Sequence, residues 1–286
     1  RQDTYPYADV DMMRNWCTEV MNEYPEYNIV GEAWMNYTIG SAYWQKGSRL
    51  NFGQDTELKS VMDFRLMGIA SKAFHEETGY SGGLHTIFEH MCYDYVYPDI
   101  YNVLRFLENH DTDRFLPSMP KSVDDLYAFK QGVTFLLTIP GIPQLYYGQE
   151  LLMNGTKEKG DGYIRLDVPG GWPGDKVNQF EASGRSEVQN DAWNLLKWRK
   201  GNDIIAKGKM KHFMVNQGVY VYERSLDGRS VLVLMNGSDK EVNLPLARYA
   251  EVLRGKTSGK EILTGKEIPL GDELSLAPKG IFVLEM

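Results

Sequence analysis

Short, strand-like runs that end in polar residues recur along the first two-thirds of the chain. Val103–Leu107 is a short, mostly apolar run typical of a buried strand in a parallel sheet, and Asn109–Asp111 follows it. Tyr27–Gly31 leads in the same way into Glu32, and the chain opens on a segment that contains Asp3. Barrels and open α/β folds build their active sites at the carboxyl ends of their strands. The pattern therefore predicts a site to which three carboxylates contribute.

Segments with apolar residues at helical spacing separate these strand-like runs. The spacing predicts helices over Asp9–Tyr24, Met67–Glu77, Val123–Leu137 and Glu187–Arg199. Further strands are predicted at Ser60–Phe64 and Gly141–Tyr147. Alternation of strands and helices is typical of parallel βαβ units. The first part of the chain is therefore predicted to be an α/β fold built on a parallel sheet.

From about Met210 the helical pattern stops and short strands follow one another closely. The predicted strands cover His212–Val215, Val219–Tyr222, Ser230–Leu234, Ala250–Leu253 and Gly280–Leu284. Turn-forming pairs such as Asn236-Gly237 separate them. Close spacing of strands without helices predicts a small antiparallel β-sandwich. We therefore divide the chain into two domains, residues 1–205 and residues 206–286.

The composition narrows the classes of function. The chain has 286 residues, 42% of them hydrophobic, and its net charge of −8 argues against a nucleic-acid partner. No apolar run reaches the roughly 18 residues of a membrane span, so a soluble protein is expected. Cys17 and Cys92 are too few for a disulfide framework, and both are predicted to be buried. The sequence leaves the compartment open between cytoplasm, periplasm and exterior.

Four ordered segments resemble signature segments of the α-amylase family of retaining glycoside hydrolases. They are Arg1–Asp3, Gly31–Trp34, Asn109–Asp111 and Gly141–Glu150. A further segment, Arg165–Asp175, is similar to the cyclomaltodextrinase and neopullulanase branch of that family. The resemblance covers nearly the whole chain but only the second half of the usual protein. It implies the C-terminal half of a (β/α)8 TIM barrel, followed by the small antiparallel β-sandwich domain.

The resemblance implies catalytic roles for the carboxylates. Asp3 would be the nucleophile, Glu32 the general acid/base, and Asp111 a third carboxylate that holds hydroxyls of the distorted sugar ring. Arg1 lies two positions before Asp3 on the same strand face and would orient it. Taken singly, each acid has an ordinary alternative, because an aspartate at a strand end is more often a helix cap and a lone glutamate is usually exposed.

The candidates for substrate binding are Arg1, His110, Trp34 and Arg114. The resemblance implies that His110 donates to a sugar hydroxyl, and a purely structural histidine is the alternative. Trp34 offers a flat face on which a glucose ring could stack, although core packing is an alternative role for the same side chain. For Arg114 two roles stay open, binding a sugar hydroxyl or pairing with a carboxylate.

The resulting hypothesis is a glycoside hydrolase that cleaves α-glucosidic bonds in starch-derived oligosaccharides through a covalent glycosyl–Asp3 intermediate. Maltooligosaccharides, cyclodextrins and pullulan are the substrates that the resemblance implies. A transglycosylase or isomerase is one alternative, because the same residues would serve transfer to a sugar acceptor. A non-catalytic sugar-binding relative is the other, although such proteins usually lack one of the carboxylates.

No cofactor is evident, and no metal site is predicted, because the remaining histidines show no ligand spacing. Calcium occurs in many relatives of the resembled family through the other half of the barrel. Thr4–Tyr7 differs from the Lys-His pair that many amylases have after the nucleophile. Four parallel strands alone would expose two edges and a core face, so we expect the missing N-terminal half of the barrel as a partner. A homo-oligomer stays open.

Overall fold

The computed structural model describes residues 1–120, 123–168, 170, 172–176 and 186–286. Its first part is built on a parallel sheet of four strands, ordered β1 (Val30–Gly31), β2 (Ser60–Met62), β3 (Val103–Phe106) and β4 (Ile142–Gln144). Gln2 forms a parallel bridge with Gly31 and so places the opening segment beside β1. The predicted parallel sheet is confirmed.

Helices precede, connect and follow these strands. They are α1 (Val10–Glu23), α2 (Thr38–Tyr43), α3 (Phe64–His75), α4 (Leu84–Met91), α5 (Val123–Thr138), α6 (Glu187–Arg199) and α7 (Asp203–Lys207). Polar side chains hold several of the amino ends: Asp9, Asp63, Ser186 and Asn202 each accept a hydrogen bond from a first-turn backbone N–H. The helices predicted over Asp9–Tyr24, Val123–Leu137 and Glu187–Arg199 are confirmed.

One predicted strand boundary was wrong and one helix was not predicted, each for a local reason. The run Ser60–Phe64 is a strand only as far as Met62, because the Asp63 carboxylate accepts the Leu66 backbone N–H at 3.0 Å and starts α3 at once. Helix α4 was not predicted, since it directly follows Gly83, a glycine with φ +61° in a segment whose composition is typical of a loop.

The second part consists of antiparallel strands, as predicted. These are β5 (Lys209–Asn216), β6 (Val219–Leu226), β7 (Arg229–Asn236), β8 (Val242–Pro245), β9 (Ser258–Glu261), β10 (Glu267–Pro269), β11 (Glu273–Leu276) and β12 (Ile281–Glu285). A six-stranded sheet has the order β10-β9-β12-β7-β6-β5, and β11 pairs with β8 in a two-stranded sheet. Leucine and valine side chains of both sheets form one hydrophobic cluster between them, so the arrangement is a sandwich.

The strand predicted at Ala250–Leu253 is wrong, because these residues form a short helix, α8. Val252 and Leu253 are adjacent in sequence and both are buried, whereas a half-buried strand would alternate buried and exposed side chains. A short apolar run alone does not distinguish the two structures.

The two parts of the chain share a hydrophobic core. Tyr222 on β6 packs with α5, and its hydroxyl lies 2.6 Å from the Thr138 hydroxyl. Gln131 donates to the backbone carbonyls of Asn236 and Lys279, and Arg224 donates to that of Thr138 at 2.6 Å. Because packing continues across it, the division at residues 205 and 206 stays a prediction.

Cys17 is buried, as predicted, but the prediction for Cys92 is wrong, because this residue ends α4 at the surface. Within the described part of the chain, every helix lacks either the length or the hydropathy that crossing a bilayer requires.

Candidate active site

Arg1 is the residue that draws the predicted carboxylates together. Its Nη1 lies 2.9 Å from Asp3 Oδ1, while its Nη2 lies 3.0 Å from Glu32 Oε2 and 3.5 Å from Asp111 Oδ2. Charge-assisted contacts of this length from one planar guanidinium fix direction as well as distance. The structure therefore gathers Arg1, Asp3, Glu32 and Asp111, which lie up to 110 positions apart in the chain, into one cluster.

The opening segment and β1 bring Asp3 and Glu32 side by side. The Gln2 backbone N–H donates to the Val30 carbonyl, and the Glu32 N–H donates back to the Gln2 carbonyl, both at 2.8 Å. The Thr4 N–H then donates to Glu32 Oε2 at 2.9 Å. Glu32 is 7% exposed and Asp3 is largely exposed, so Glu32 is buried among its neighbours whereas Asp3 faces solvent.

Gly31 permits this close approach. A Cβ at this position would lie 2.5 Å from Leu58 Cδ2 and 3.0 Å from the Tyr5 ring. Contacts that short cannot be accommodated without displacing a neighbour, so a larger residue would have to shift the buried Leu58 side chain or the Tyr5 ring.

The loop after β3 places Asp111 and His110. The Asn109 side chain accepts the Asp111 N–H at 2.8 Å, and the Thr112 hydroxyl accepts the Asn109 N–H at 3.0 Å, which closes a tight polar turn. His110 Nε2 lies 3.0 Å from Asp111 Oδ2. His110 therefore shares with Arg1 the oxygen of Asp111 that faces the other two carboxylates.

Trp34 stands at the edge of this cluster. Its ring stacks on Phe64, with the centroids 4.5 Å apart and 13° between the planes, and the residue is 47% exposed. A cleft of about 430 Å³ lies beside it, lined by Thr4, Pro6, Tyr7, Glu32, Trp34 and Met35. The ring is thus partly packed on the core and partly open to the cleft, and its contact with a sugar stays a prediction.

Arg114 does not reach this cleft. Its side chain is only 1% exposed, and Nη1 donates to Glu108 Oε1 and to the Tyr147 carbonyl, both at 2.8 Å. Nε donates to the Ile164 carbonyl at 3.0 Å. Of the two roles left open by the sequence, the structure shows pairing with a carboxylate. Direct contact of Arg114 with a substrate is not supported, because neighbouring groups enclose the guanidinium.

Arg165 is a site residue that sequence reasoning missed. Its Nη2 lies 2.9 Å from Asp111 Oδ1 and 2.9 Å from Asp161 Oδ2, and its Nε donates to the His110 carbonyl at 2.8 Å. Lys157 joins it by donating to the Asp111 carbonyl at 3.0 Å. The segment Arg165–Asp175 is similar to one branch of the resembled family, but no spacing rule connects it to Asp111. Pro169 and Gly171 of that segment lie outside the described residues.

A second group of charged side chains is buried in the fold. Asp63 accepts from Arg105 and from His90 Nε2, the latter at 2.9 Å, and the side chains of Asp63 and Arg105 are fully buried. Burial opposes ionisation of Asp63, but the charges of His90 and Arg105 outweigh it and hold the pKa of this carboxyl well below its usual range. These groups stabilise the packing of α3 and α4 rather than line the cleft.

None of the described residues form a cluster of three or more His, Cys, Asp or Glu side chains that could hold a metal ion.

The chain matches two known domain families. Residues 4–218 match the alpha amylase catalytic domain. The chain belongs to the alpha-amylase family. Residues 210–285 match the cyclo-malto-dextrinase C-terminal domain, in agreement with the branch that the sequence resembles. The matched catalytic range begins at Thr4 and so does not include Asp3.

Curated relatives in this family include a transferase and a hydrolase. The chain is 29% identical over 227 residues to a cyclomaltodextrin glucanotransferase of Thermoanaerobacterium thermosulfurigenes, covering 77% of the chain and 28% of that protein. It is 24% identical over 273 residues to an alpha-amylase of Niallia circulans, covering 93% of the chain and 47% of that protein. The chain thus spans less than half the length of either relative.

Solved structures confirm the fold prediction. The alpha-amylase of Geobacillus thermoleovorans, solved with acarbose, superposes with a TM-score of 0.75 at 19% identity, over 98% of this chain and 57% of that one. The predicted C-terminal half of a (β/α)8 barrel, followed by an antiparallel β-sandwich, is therefore the architecture of the chain.

Proposed function

We propose that this alpha-amylase family chain carries the catalytic carboxylates of a retaining glycoside hydrolase that acts on α-glucosidic bonds. The observation that carries the proposal is the contact of one guanidinium, that of Arg1, with Asp3, Glu32 and Asp111 together. Retention requires two carboxyl groups roughly 5 Å apart. Asp3 and Glu32 each lie within about 3 Å of a terminal nitrogen of the same guanidinium, which supports their assignment as that pair.

In the proposed reaction, a carboxylate oxygen of Asp3 attacks the anomeric carbon while Glu32 gives its proton to the glycosidic oxygen. The carbon–oxygen bond to the leaving sugar breaks as the bond to Asp3 forms. Water then attacks the same carbon, Glu32 takes its proton, and Asp3 is released. Within the described residues Oε1 of Glu32 accepts no hydrogen bond, whereas Oε2 is held by Arg1 and the Thr4 amide, so Oε1 is the oxygen assigned to the proton.

Asp111, His110 and Trp34 take supporting roles in this proposal. Asp111 and His110 are joined at 3.0 Å and would bind ring hydroxyls together, which holds the distorted sugar against Asp3. The exposed part of Trp34 would carry a glucose ring on its face. Arg1 would orient Asp3 for its attack on the anomeric carbon and Glu32 for its proton transfers.

The proposed substrates are starch-derived oligosaccharides such as maltooligosaccharides, cyclodextrins and pullulan. Support comes from the match of the second domain to the cyclo-malto-dextrinase C-terminal domain and from relatives named as amylases and cyclomaltodextrin glucanotransferases. We further propose that the other half of the barrel completes this sheet, because β4 and the opening segment otherwise end the described sheet with open edges. Calcium, if used, would be bound through that other half.

The test is reducing-sugar release from maltoheptaose by the complete polypeptide, with Asp3→Asn, Glu32→Gln and Glu23→Gln beside it. Removal of the nucleophile should abolish release, and removal of the general acid should lower kcat by about a hundredfold to ten-thousandfold. Glu23 is an exposed acid at the end of α1, so its variant controls for loss of charge and should match the wild type. Unchanged release by Asp3→Asn would remove Asp3 from the mechanism.

Transfer to a sugar acceptor is the second candidate, favoured by the relatives named as cyclomaltodextrin glucanotransferases. The covalent step would be the same, and a sugar hydroxyl would replace water in the second step. Chromatography of the maltoheptaose products separates the two, since transfer gives longer or cyclic products. Maltoheptaose binding without any bond cleavage would instead indicate a sugar-binding relative.

A further inference from the structure

We propose that Glu108 and Arg114 are positioning residues for substrate binding, acting through Tyr146 and Arg165. The pair would tie the loop that carries Asp111 to the two loops that face it. This inference rests on the proposed function, because it assigns these loops to the sugar-binding side of the same site.

The pair is buried and cannot touch a sugar itself. Both side chains are 1% exposed, and they meet through Arg114 Nη1 and Glu108 Oε1 at 2.8 Å. The other oxygen of Glu108 accepts the Phe115 N–H at 2.5 Å. Burying an ion pair costs solvation free energy that the attraction between the charges need not recover, so stability alone is a weak reason for it. What the pair contacts is therefore more informative.

Arg114 holds the tyrosine that faces His110. Its guanidinium carbon lies 4.1 Å from the centroid of the Tyr146 ring and 4.9 Å from that of Tyr147. The Tyr146 ring in turn lies 6.5 Å from the His110 ring. A guanidinium can stack on an aromatic face while its edge donates hydrogen bonds, which an ammonium group cannot do. Arg114 thus fixes the plane of a ring beside a residue proposed to bind hydroxyls.

Arg114 also fixes the loop that delivers Arg165. Its Nε donates to the carbonyl of Ile164, the residue directly before Arg165, at 3.0 Å. Its backbone N–H donates to the Gly155 carbonyl at 3.0 Å, so both ends of the segment 155–164 are tied to one residue. Arg165 contacts Asp111 Oδ1 at 2.9 Å. Movement of Arg114 would therefore be passed to Asp111 as well as to Tyr146.

A double-mutant cycle on maltoheptaose binding tests this coupling. The dissociation constant is measured by calorimetry in the complete polypeptide carrying Glu32→Gln, for Arg114→Lys, Tyr146→Ala and both together. Each single change should raise Kd about tenfold, and the double variant should also bind about tenfold more weakly, because the second change removes nothing further. A hundredfold loss in the double variant would show independent effects and overturn the proposal.

Glu108→Gln supplies a second route, since glutamine keeps the size and one acceptor of glutamate. Glu108→Gln should raise Kd for maltoheptaose, as Arg114→Lys should. An unchanged Kd in the folded variant would also overturn the proposal. Arg254→Lys is the matched control, because Arg254 pairs with the buried Glu223 in the β-sandwich. If maltoheptaose does not bind the unmodified site at all, the proposed function fails together with this inference; binding with an additive cycle defeats the inference alone.

Discussion

The buried charges around Asp63 allow a sharp test of how the barrel part is stabilised. Asp63 Oδ2 accepts from Arg105 and His90, its Oδ1 accepts the Leu66 N–H, and Arg105 is fully buried. Removing one partner of a buried pair costs about 3–5 kcal/mol. Arg105 would keep one partner, because Asp94 Oδ1 lies 2.6 Å from its Nη2. Asp63→Asn should therefore lower the free energy of unfolding by about 3 kcal/mol, the low end of that range. Asparagine retains an acceptor for the helix cap, worth about 1 kcal/mol.

The assay is urea unfolding followed by tryptophan fluorescence, with Glu251→Gln as the control. Glu251 pairs with Lys211 at the surface, where both side chains are about half exposed, so its loss should cost less than about 1 kcal/mol. Because the folded-state pKa of Asp63 is lowered, its stabilising effect is complete above the unfolded pKa of about 4 and is lost as the pH falls further. The difference between wild type and Asp63→Asn should shrink accordingly. A difference below about 1 kcal/mol at neutral pH would refute the reasoning.

Three further outcomes follow from single contacts. Gly31→Ala should lower the free energy of unfolding by about 1–3 kcal/mol in urea titrations, because its Cβ would meet Leu58 at 2.5 Å. Trp34→Ala should raise KM for maltoheptaose about tenfold and cost about 1 kcal/mol of stability, since the ring loses its stack on Phe64. Burial raises the pKa of Glu108 to about 7, although the Phe115 amide and Arg114 oppose it. The folded state therefore holds the Glu108 proton more tightly than the unfolded state does. As the pH rises from about 4 to 7, the free energy of unfolding measured by urea titration should fall by up to about 3 kcal/mol in wild type but not in Glu108→Gln.

The grouping of the three carboxylates could be predicted because it depends on local rules. Polar residues that follow the strands of a parallel sheet meet at one edge of it. Glu32 directly follows β1, Asp111 lies on the loop after β3, and Asp3 follows the bridge between Gln2 and Gly31. Arg165 could not be found in this way, because it reaches Asp111 through a long loop whose path no periodicity encodes. The burial of Arg114 was equally hidden, since its partners come from three separate loops.

Local ambiguity explains the errors in secondary structure. Ala250–Leu253 is short and mostly apolar, a composition that is compatible with a strand or a helical turn. In the structure it directly continues the helical turn over Leu246–Tyr249 as a helix. Asp63 illustrates the opposite case. A single capping side chain converts the end of a strand into the start of a helix within one residue.

The charges around Asp111 suggest why two guanidiniums serve this site. Leaving His110 aside, four acids (Asp3, Glu32, Asp111 and Asp161) face three bases (Arg1, Arg165 and Lys157), so the cluster has one more negative than positive group when all are ionised. In the proposed reaction, a proton on Glu32 would balance this charge before the glycosidic bond breaks. Once that proton had gone to the leaving oxygen, the excess negative charge would lie where an oxocarbenium-like transition state develops positive charge. A third guanidinium in contact with the cluster would remove that excess, which gives a reason for the position of Arg114 behind the tyrosines rather than among the carboxylates.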